Sequence, residues 1–175
     1  MTGLVHIYTG DGKGKTTSAV GLAIRASGNN LKVLMVQFLK GAETGEIAIL
    51  RKLEPNFKLC RVEEIQDFIW NLNKEQIKGL RRSTEVLLQY CFDLVSSEEW
   101  DMFIMDEVMA AISVGFIKTE TIVQFLKNRP NKLEVVMTGR NAPQELVDRA
   151  DYVSDITPVK HPFSKGIRGR RGIEF

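Results

Sequence analysis

The sequence predicts an α/β domain with a mostly parallel central sheet. Short apolar runs rich in Val, Ile, Leu, Phe and Met alternate with longer segments of helical periodicity. A glycine-rich turn joins the first run to the first helix, and several later runs close on acidic or polar residues. Strands alternating with helices make βαβ units, whose crossovers are right-handed.

In chain order, residues 4–8 form an apolar run stopped by Gly10, which fits a buried strand. A helix follows over 15–26, with Ala19, Leu22, Ala23 and Ala26 on one face, and residues 27–30 end it. Residues 32–39 are a second strand, 41–45 a loop, 46–53 a short helix and 57–62 a third strand. Residues 67–72 carry Phe68 and Trp70 without periodicity and read as a loop. A long helix over 74–96 presents Ile77, Leu80, Leu87, Leu88 and Cys91 inward. Residues 102–105 are a strand ending in Asp106 and Glu107; 119–128 are a helix stopped by Pro130. Residues 134–137 are a strand ending at Thr138, Gly139 and Arg140; 143–150 are a helix, and 152–156 a last core strand. No repeat, low-complexity tract or linker interrupts this, so 1–175 reads as one domain.

A chain of 175 residues is long enough to bury roughly 70% of its unfolded surface. The formal net charge of +2 argues against a nucleic-acid coat or a membrane surface. No apolar run approaches the roughly 18 residues of a membrane span. Met1, Thr2 and Gly3 lead straight into the first strand, so no secretion signal is expected. Cys60 and Cys91 lack metal-site or disulfide-framework spacing and read as buried structural thiols. A cytoplasmic location follows as the expectation.

The chemistry lies first in Thr9, Gly10, Asp11, Gly12, Lys13, Gly14, Lys15, Thr16 and Thr17. Successive glycines let backbone N–H groups converge on one point, and a helix beginning there adds its positive end. A triphosphate is the guest such a cradle suits. Lys15 takes the position that contacts phosphate oxygens, and Thr16 the position whose hydroxyl binds Mg²⁺. Lys13 adds a second cation. The strict phosphate-loop pattern puts glycine at position 9, where this chain has Thr9 and glycine follows at 10. Asp106 and Glu107, at a strand end, are the expected second anchor for Mg²⁺ and its waters. Arg25, near the end of the first helix, is a candidate to reach back to phosphate. Arg140 follows a strand at the ligand-bearing edge of a parallel sheet.

The residues from Tyr8 through Thr17 resemble the phosphate loop of the ATP:corrinoid adenosyltransferases of cobalamin biosynthesis. So do Val36, Gln37, Phe38, Leu39, Lys40 and Gly41; Thr44, Gly45 and Glu46; and Phe68, Ile69 and Trp70. So do Asp106 and Glu107; Thr138, Gly139 and Arg140; Asp151; Pro158 to His161 (158–161); and the closing residues 171–175. The blocks run in order along almost the whole chain. The resemblance implies a three-layer, RecA-like P-loop fold, usually homodimeric. It implies transfer of the 5′-deoxyadenosyl group of ATP to the cobalt of a reduced corrinoid, with release of triphosphate. Cobyrinic acid a,c-diamide, cobinamide and cobalamin are the family's corrinoid substrates, and a flavoprotein reductant is an expected partner. By the same resemblance, residues 10–16 hold the triphosphate in a reversed sense, and Thr16 and Glu107 fall where Mg²⁺ and phosphate are contacted. Phe68 and Trp70 fall where aromatics crowd the lower face of the corrin and keep cobalt four-coordinate.

Such chemistry needs no serine, cysteine or histidine nucleophile and no general base, because Co(I) is itself the nucleophile and no proton leaves. The family's N-terminal cover over the active site is expected to be missing, since three residues precede the first strand. The loop over 41–45 is short and lacks the aromatic common in relatives. Lys160, Lys165, Arg168, Arg170 and Arg171, spaced by glycines, are expected to order near the nucleotide or corrinoid rather than on nucleic acid. His6 reads as a core residue. Two other functions fit the same loop: a kinase or ATPase cleaving at the γ-phosphate, with Glu107 positioning a water or hydroxyl, and a non-enzymatic nucleotide or corrinoid binder.

Overall fold

The computed structural model describes residues 2–40, 44–62 and 72–174. Six strands form one sheet: β1 (Val5–Thr9), β2 (Val33–Gln37), β3 (Phe57–Arg61), β4 (Met102–Asp106), β5 (Glu134–Thr138) and β6 (Tyr152–Asp155). Their order is β3-β2-β4-β5-β1-β6, and every pairing is parallel. Parallel neighbours demand crossovers, and helices supply them: α1 (Lys15–Ser27), α2 (Gly45–Leu50), α3 (Lys74–Ser97), α4 (Val108–Ser113), α5 (Thr119–Asn128) and α6 (Gln144–Val147).

Alternate residues of a strand face opposite sides of the sheet, and the core divides accordingly. Val33, Met35, Met102, Ile104 and Val136 pack with Ala19, Ala23 and Ala26 of α1. Leu34, Val36, Phe103, Met105, Val135 and Met137 pack with Leu88, Cys91, Leu94 and Val95 of α3 and with Ile122 and Leu126 of α5. The result is the parallel α/β sheet the sequence predicts, in the three-layer arrangement the family resemblance implies. Alanines on the buried face of α1 let that helix lie close to the strands, which brings its first turn onto the sheet's carboxyl edge. Asn73 opens α3 with a reciprocal capping box with Gln76.

Three expectations are corrected, and one helix went unassigned from the sequence. Strand β6 is not a core strand: all four residues are exposed, because only β1 pairs with it. The helix expected over 143–150 shortens to Gln144–Val147, because Arg149 and Ala150 close tighter turns and Asp151 is captured by β1. Helix α4 was not legible, since Val108, Met109, Ala110, Ala111 and Ile112 form one apolar run without period. His6 is only partly buried; its ring hydrogen-bonds Glu134 and stacks on Tyr152.

The registers matter most for function. Tyr8 pairs with Thr138, Thr9 with Asp155, and Gln37 with Asp106. The carboxyl ends of β1, β2, β4, β5 and β6 therefore meet on one edge, where open parallel sheets bind ligands.

Candidate functional site

The loop between β1 and α1 lies on that edge, pressed against the exit of β6. The Gly12 N–H donates to the Ile156 carbonyl at 2.6 Å, and the Ile156 N–H donates to the Thr9 carbonyl at 2.9 Å. Only glycine fits this approach. A Cβ on Gly10 would lie 2.2 Å from Asp155 Oδ1, and one on Gly12 would lie 2.5 Å from the Ile156 carbonyl oxygen. Gly10 also sits at φ 98°, a conformation side chains rarely adopt.

Lys15 opens α1 and is 8% exposed. Its ammonium donates to the carbonyls of Gly10 at 2.7 Å and Gly12 at 2.8 Å, so it lies across the loop it belongs to. Burial lowers its pKa, with the charges of Glu107, Asp11 and Asp106 working against that shift.

Thr16, one residue on, donates to Asp106 Oδ1 at 2.9 Å. Asp106 is fully buried, so its charge must be met by donors. Thr138 donates to Oδ1 at 2.7 Å; Gln37 and Lys40 donate to Oδ2 at 3.2 and 2.7 Å. Strand ends β2, β4 and β5 and the first turn of α1 thus converge on one carboxylate.

With a glycine cradle, its lysine, and a hydroxyl–carboxylate pair in place, the site has the parts of a nucleotide-phosphate centre, and comparison with known proteins decides which kind. Residues 1–175 match the family model described as ATP:corrinoid adenosyltransferase BtuR/CobO/CobP. The chain belongs to that family. The corrinoid adenosyltransferase of Escherichia coli (strain K12) is 33% identical over 175 residues, covering 99% of this chain and 86% of its own. That of Pseudomonas aeruginosa is 32% identical over 174 residues, covering 99% and 84%. Corrinoid adenosyltransferase CobA of Salmonella typhimurium is 30% identical over 174 residues, covering 99% and 86%. Among solved structures, EssC (ATPases 2 and 3) from Geobacillus thermodenitrificans overlays loosely, at a TM-score of 0.48 and 14% identity, over 97% of this chain and 35% of that one.

The remaining residues singled out in this family member divide into three groups. Some join the site. Glu107 follows Asp106 in the left-handed region at φ 60°, and its N–H donates to Thr138 Oγ1 at 2.9 Å. Burial, and then the neighbouring Asp106 charge, raises its carboxyl pKa above the usual range. Arg140 Nη1 stands 3.5 Å from Asp11 Oδ1 across the loop mouth, both side chains exposed. Thr9 Oγ1 accepts from the Ala142 N–H at 3.3 Å, tying the loop to the segment after β5. Gly14 is the N-cap of α1. Thr17 is exposed on the first turn of α1.

Others do not join it. Arg25 is exposed in the last turn of α1, ten residues from Lys15 and so about 15 Å along the axis. There its charge acts on Tyr8, whose pKa burial raises. Phe68 and Trp70 lie outside the described residues.

The third group was named in the sequence only within blocks that resemble the family, with no role at the site assigned. Gln37, Lys40 and Thr138 all touch Asp106 or Thr16. Their sequence signals are the family-like blocks that contain them and their position, at or just after a strand's carboxyl end. Glu174 bonds Lys13 at 3.0 Å and also pairs with Arg170, bringing the end of the chain onto the phosphate loop. The hydrogen bond from Arg170, with Lys13 adding to it, holds the Glu174 carboxyl down to about 2.

Proposed function

We propose that this chain, on the pattern of its family, binds Mg²⁺-ATP in the loop over 10–16 and transfers the 5′-deoxyadenosyl group to the Co(I) of a reduced corrinoid, in adenosylcobalamin biosynthesis or salvage. The observation that carries the proposal is the junction of Lys15, Thr16 and Asp106 at the mouth of the glycine loop, in a chain that matches the family from end to end.

The cobalt electron pair attacks C5′. The C5′–oxygen bond breaks, its electrons leave with triphosphate, and cobalt is formally oxidised from Co(I) to Co(III). The chain's own work is to align the two reactants and to receive the departing anion. Alignment alone supplies roughly 7–11 kcal/mol in favourable cases. Lys13, Lys15 and the loop N–H groups over 10–14 other than that of Gly12, which Ile156 already accepts, are the donors at the triphosphate, each charge-assisted bond contributing about 1.5–3 kcal/mol.

The residues fit Mg²⁺. Thr16 and Asp106 offer a hydroxyl and a carboxylate 2.9 Å apart, with Glu107 beside them. Among the described residues no group of three or more His, Cys, Asp or Glu is arranged to hold a metal. A site with few protein ligands suits an ion that keeps its waters and takes the rest of its shell from phosphates. When bound, Mg²⁺ would neutralise charge on the leaving triphosphate. Phe68 and Trp70 belong to the proposal by resemblance alone, as the aromatics beneath the corrin. A homodimer, a cytoplasmic location and a flavoprotein reductant rest on the same footing.

The test mixes protein, Mg²⁺-ATP and a chemically reduced corrinoid under anaerobic conditions. Formation of a light-sensitive adenosylcorrinoid together with inorganic triphosphate is the expected result. ADP or orthophosphate as product would instead favour cleavage at the γ-phosphate. Binding without turnover across several reduced corrinoids would favour a carrier.

A further inference from the structure

Lys40 lies three residues past the end of β2, and its surroundings aim it at one point. Leu39 adopts φ 56°, a left-handed conformation that a branched, bulky side chain rarely takes and that costs stability. Arg61, at the end of β3, donates to the Lys40 carbonyl at 2.7 Å and fixes the turn from the other side. The Phe38 N–H donates to the Asp106 carbonyl at 3.0 Å, carrying the pairing of β2 with β4 past the strand end. So held, the Lys40 ammonium donates to Thr16 Oγ1 at 3.0 Å and to Asp106 Oδ2 at 2.7 Å. Those two oxygens are the hydroxyl and carboxylate that the proposed function gives to Mg²⁺.

We propose that Lys40 is a resident counter-ion of the metal site, so that its ammonium and a divalent cation exclude one another at Thr16 and Asp106. The inference rests on the Mg²⁺ reading above. Asp106 is sealed from bulk solvent, and among its donors within the described residues only Lys40 carries a formal charge. Removing that ammonium leaves Oδ2 with the longer bond from Gln37. Two cations in contact with one buried carboxylate repel strongly where water does not screen them. The metal is therefore admitted together with nucleotide, whose phosphates bring negative charge enough to draw Lys40 off Asp106 and onto themselves. Free Mg²⁺ does not fill the site beforehand.

The test uses Mn²⁺ as the probe, read by electron paramagnetic resonance, on the full chain without nucleotide. Wild type binds Mn²⁺ weakly. Lys40→Met and Lys40→Gln bind it about tenfold or more tightly, a gain of about 1.4 kcal/mol or more. Lys40→Arg keeps the charge and remains as weak as wild type. Equal affinity in wild type and both neutral variants overturns the inference. Should the neutral variants fail to fold, wild type labelled with ¹³C-lysine decides: the Lys40 Cε signal, assigned by its loss in Lys40→Arg, stays put on adding Mg²⁺ alone and shifts on adding Mg²⁺ with ATP. A signal that stays put while Mg²⁺ binds with ATP overturns the idea. Protein-bound Mn²⁺ in the presence of ATP checks the underlying reading separately. Its absence removes the metal site and the inference with it; its presence, with no gain in the neutral variants, removes Lys40 alone.

Discussion

Replacing Thr138 with valine changes one atom's chemistry at a fully buried position. The Thr138 hydroxyl donates to Asp106 Oδ1 at 2.7 Å and accepts the Glu107 N–H at 2.9 Å. Valine keeps the shape and does neither. Asp106 then loses one of four donors, a bond to a charged group contributing about 1.5–3 kcal/mol. The Glu107 N–H, at a residue already in the left-handed region, loses its acceptor at a cost of about 1–3 kcal/mol. Extra apolar burial by the new methyl offsets under about 1 kcal/mol. The net expectation is about 3 kcal/mol of lost stability. For a domain of 175 residues this lowers Tm by roughly 6–12 °C. Thermal melts followed by circular dichroism measure it, with Thr138→Ser as the partner variant. Serine restores both bonds, loses one methyl, and falls by only about 1 kcal/mol. A valine variant within about 2 °C of wild type, or a serine variant less stable than the valine one, would refute the bonding scheme around Asp106.

Lys15→Ala should weaken ATP binding by about 10- to 150-fold, the value of one charge-assisted bond to phosphate, while the far-ultraviolet spectrum stays native; unchanged affinity by calorimetry would remove Lys15 from the triphosphate. The Glu174 carboxyl is depressed from 4.5 to about 2 in the folded chain. Its contribution is present above 4.5 and lost as pH falls through about 2, so the contacts to Lys13 and Arg170 open in that window; a ¹³C carboxyl titration with its midpoint near 4.5 would show that the tail is not held. Trp70→Ala should slow adenosylation from Co(II) more than from pre-reduced Co(I), because only the first must reach a four-coordinate state; equal losses in a stopped-flow comparison would argue against a role beneath the corrin.

The helices and strands with clean periodicity were legible. Helix α3 begins and ends within a residue of the expected span, and α5 matches it. What the sequence hid follows from pairings made between distant residues. That β6 lies at an edge depends on which strand pairs with β1, and no local pattern in residues 152–155 records that. The loop over 9–17 was readable because its chemistry is local: glycines, a lysine and a helix start in one run. The floor of the site was readable at Asp106, an acidic residue at a strand end, but its hydrogen-bonding partners were not. Gln37, Asp106 and Thr138 come from three strands and become neighbours only through register. Lys13 and Glu174 are 161 residues apart, and their contact depends on where the basic tail lies. The tail meets the phosphate loop at Glu174, which the sequence placed only within the closing family-like block and gave no role.

The cations around the loop share one property that bears on how tightly a nucleotide can bind. Lys15 is satisfied by the carbonyls of Gly10 and Gly12, Lys40 by Asp106 and Thr16, Lys13 by Glu174, and Arg140 faces Asp11. A triphosphate that engages these groups replaces contacts the protein already makes instead of filling vacancies. Its net affinity is therefore a difference between two sets of polar contacts, far smaller than the sum of the new ones. The difference is not the same everywhere. Lys13 and Arg140 are exposed, their present partners are screened by solvent, and releasing them costs little. Lys15 and Lys40 hold their partners at short range in buried surroundings, and releasing them costs more. Exposed contacts therefore exchange first, and the buried ones only once the phosphates are already seated. That order places the largest electrostatic rearrangement late, next to Thr16 and Asp106, the point to which the proposed function assigns stabilisation of the leaving triphosphate.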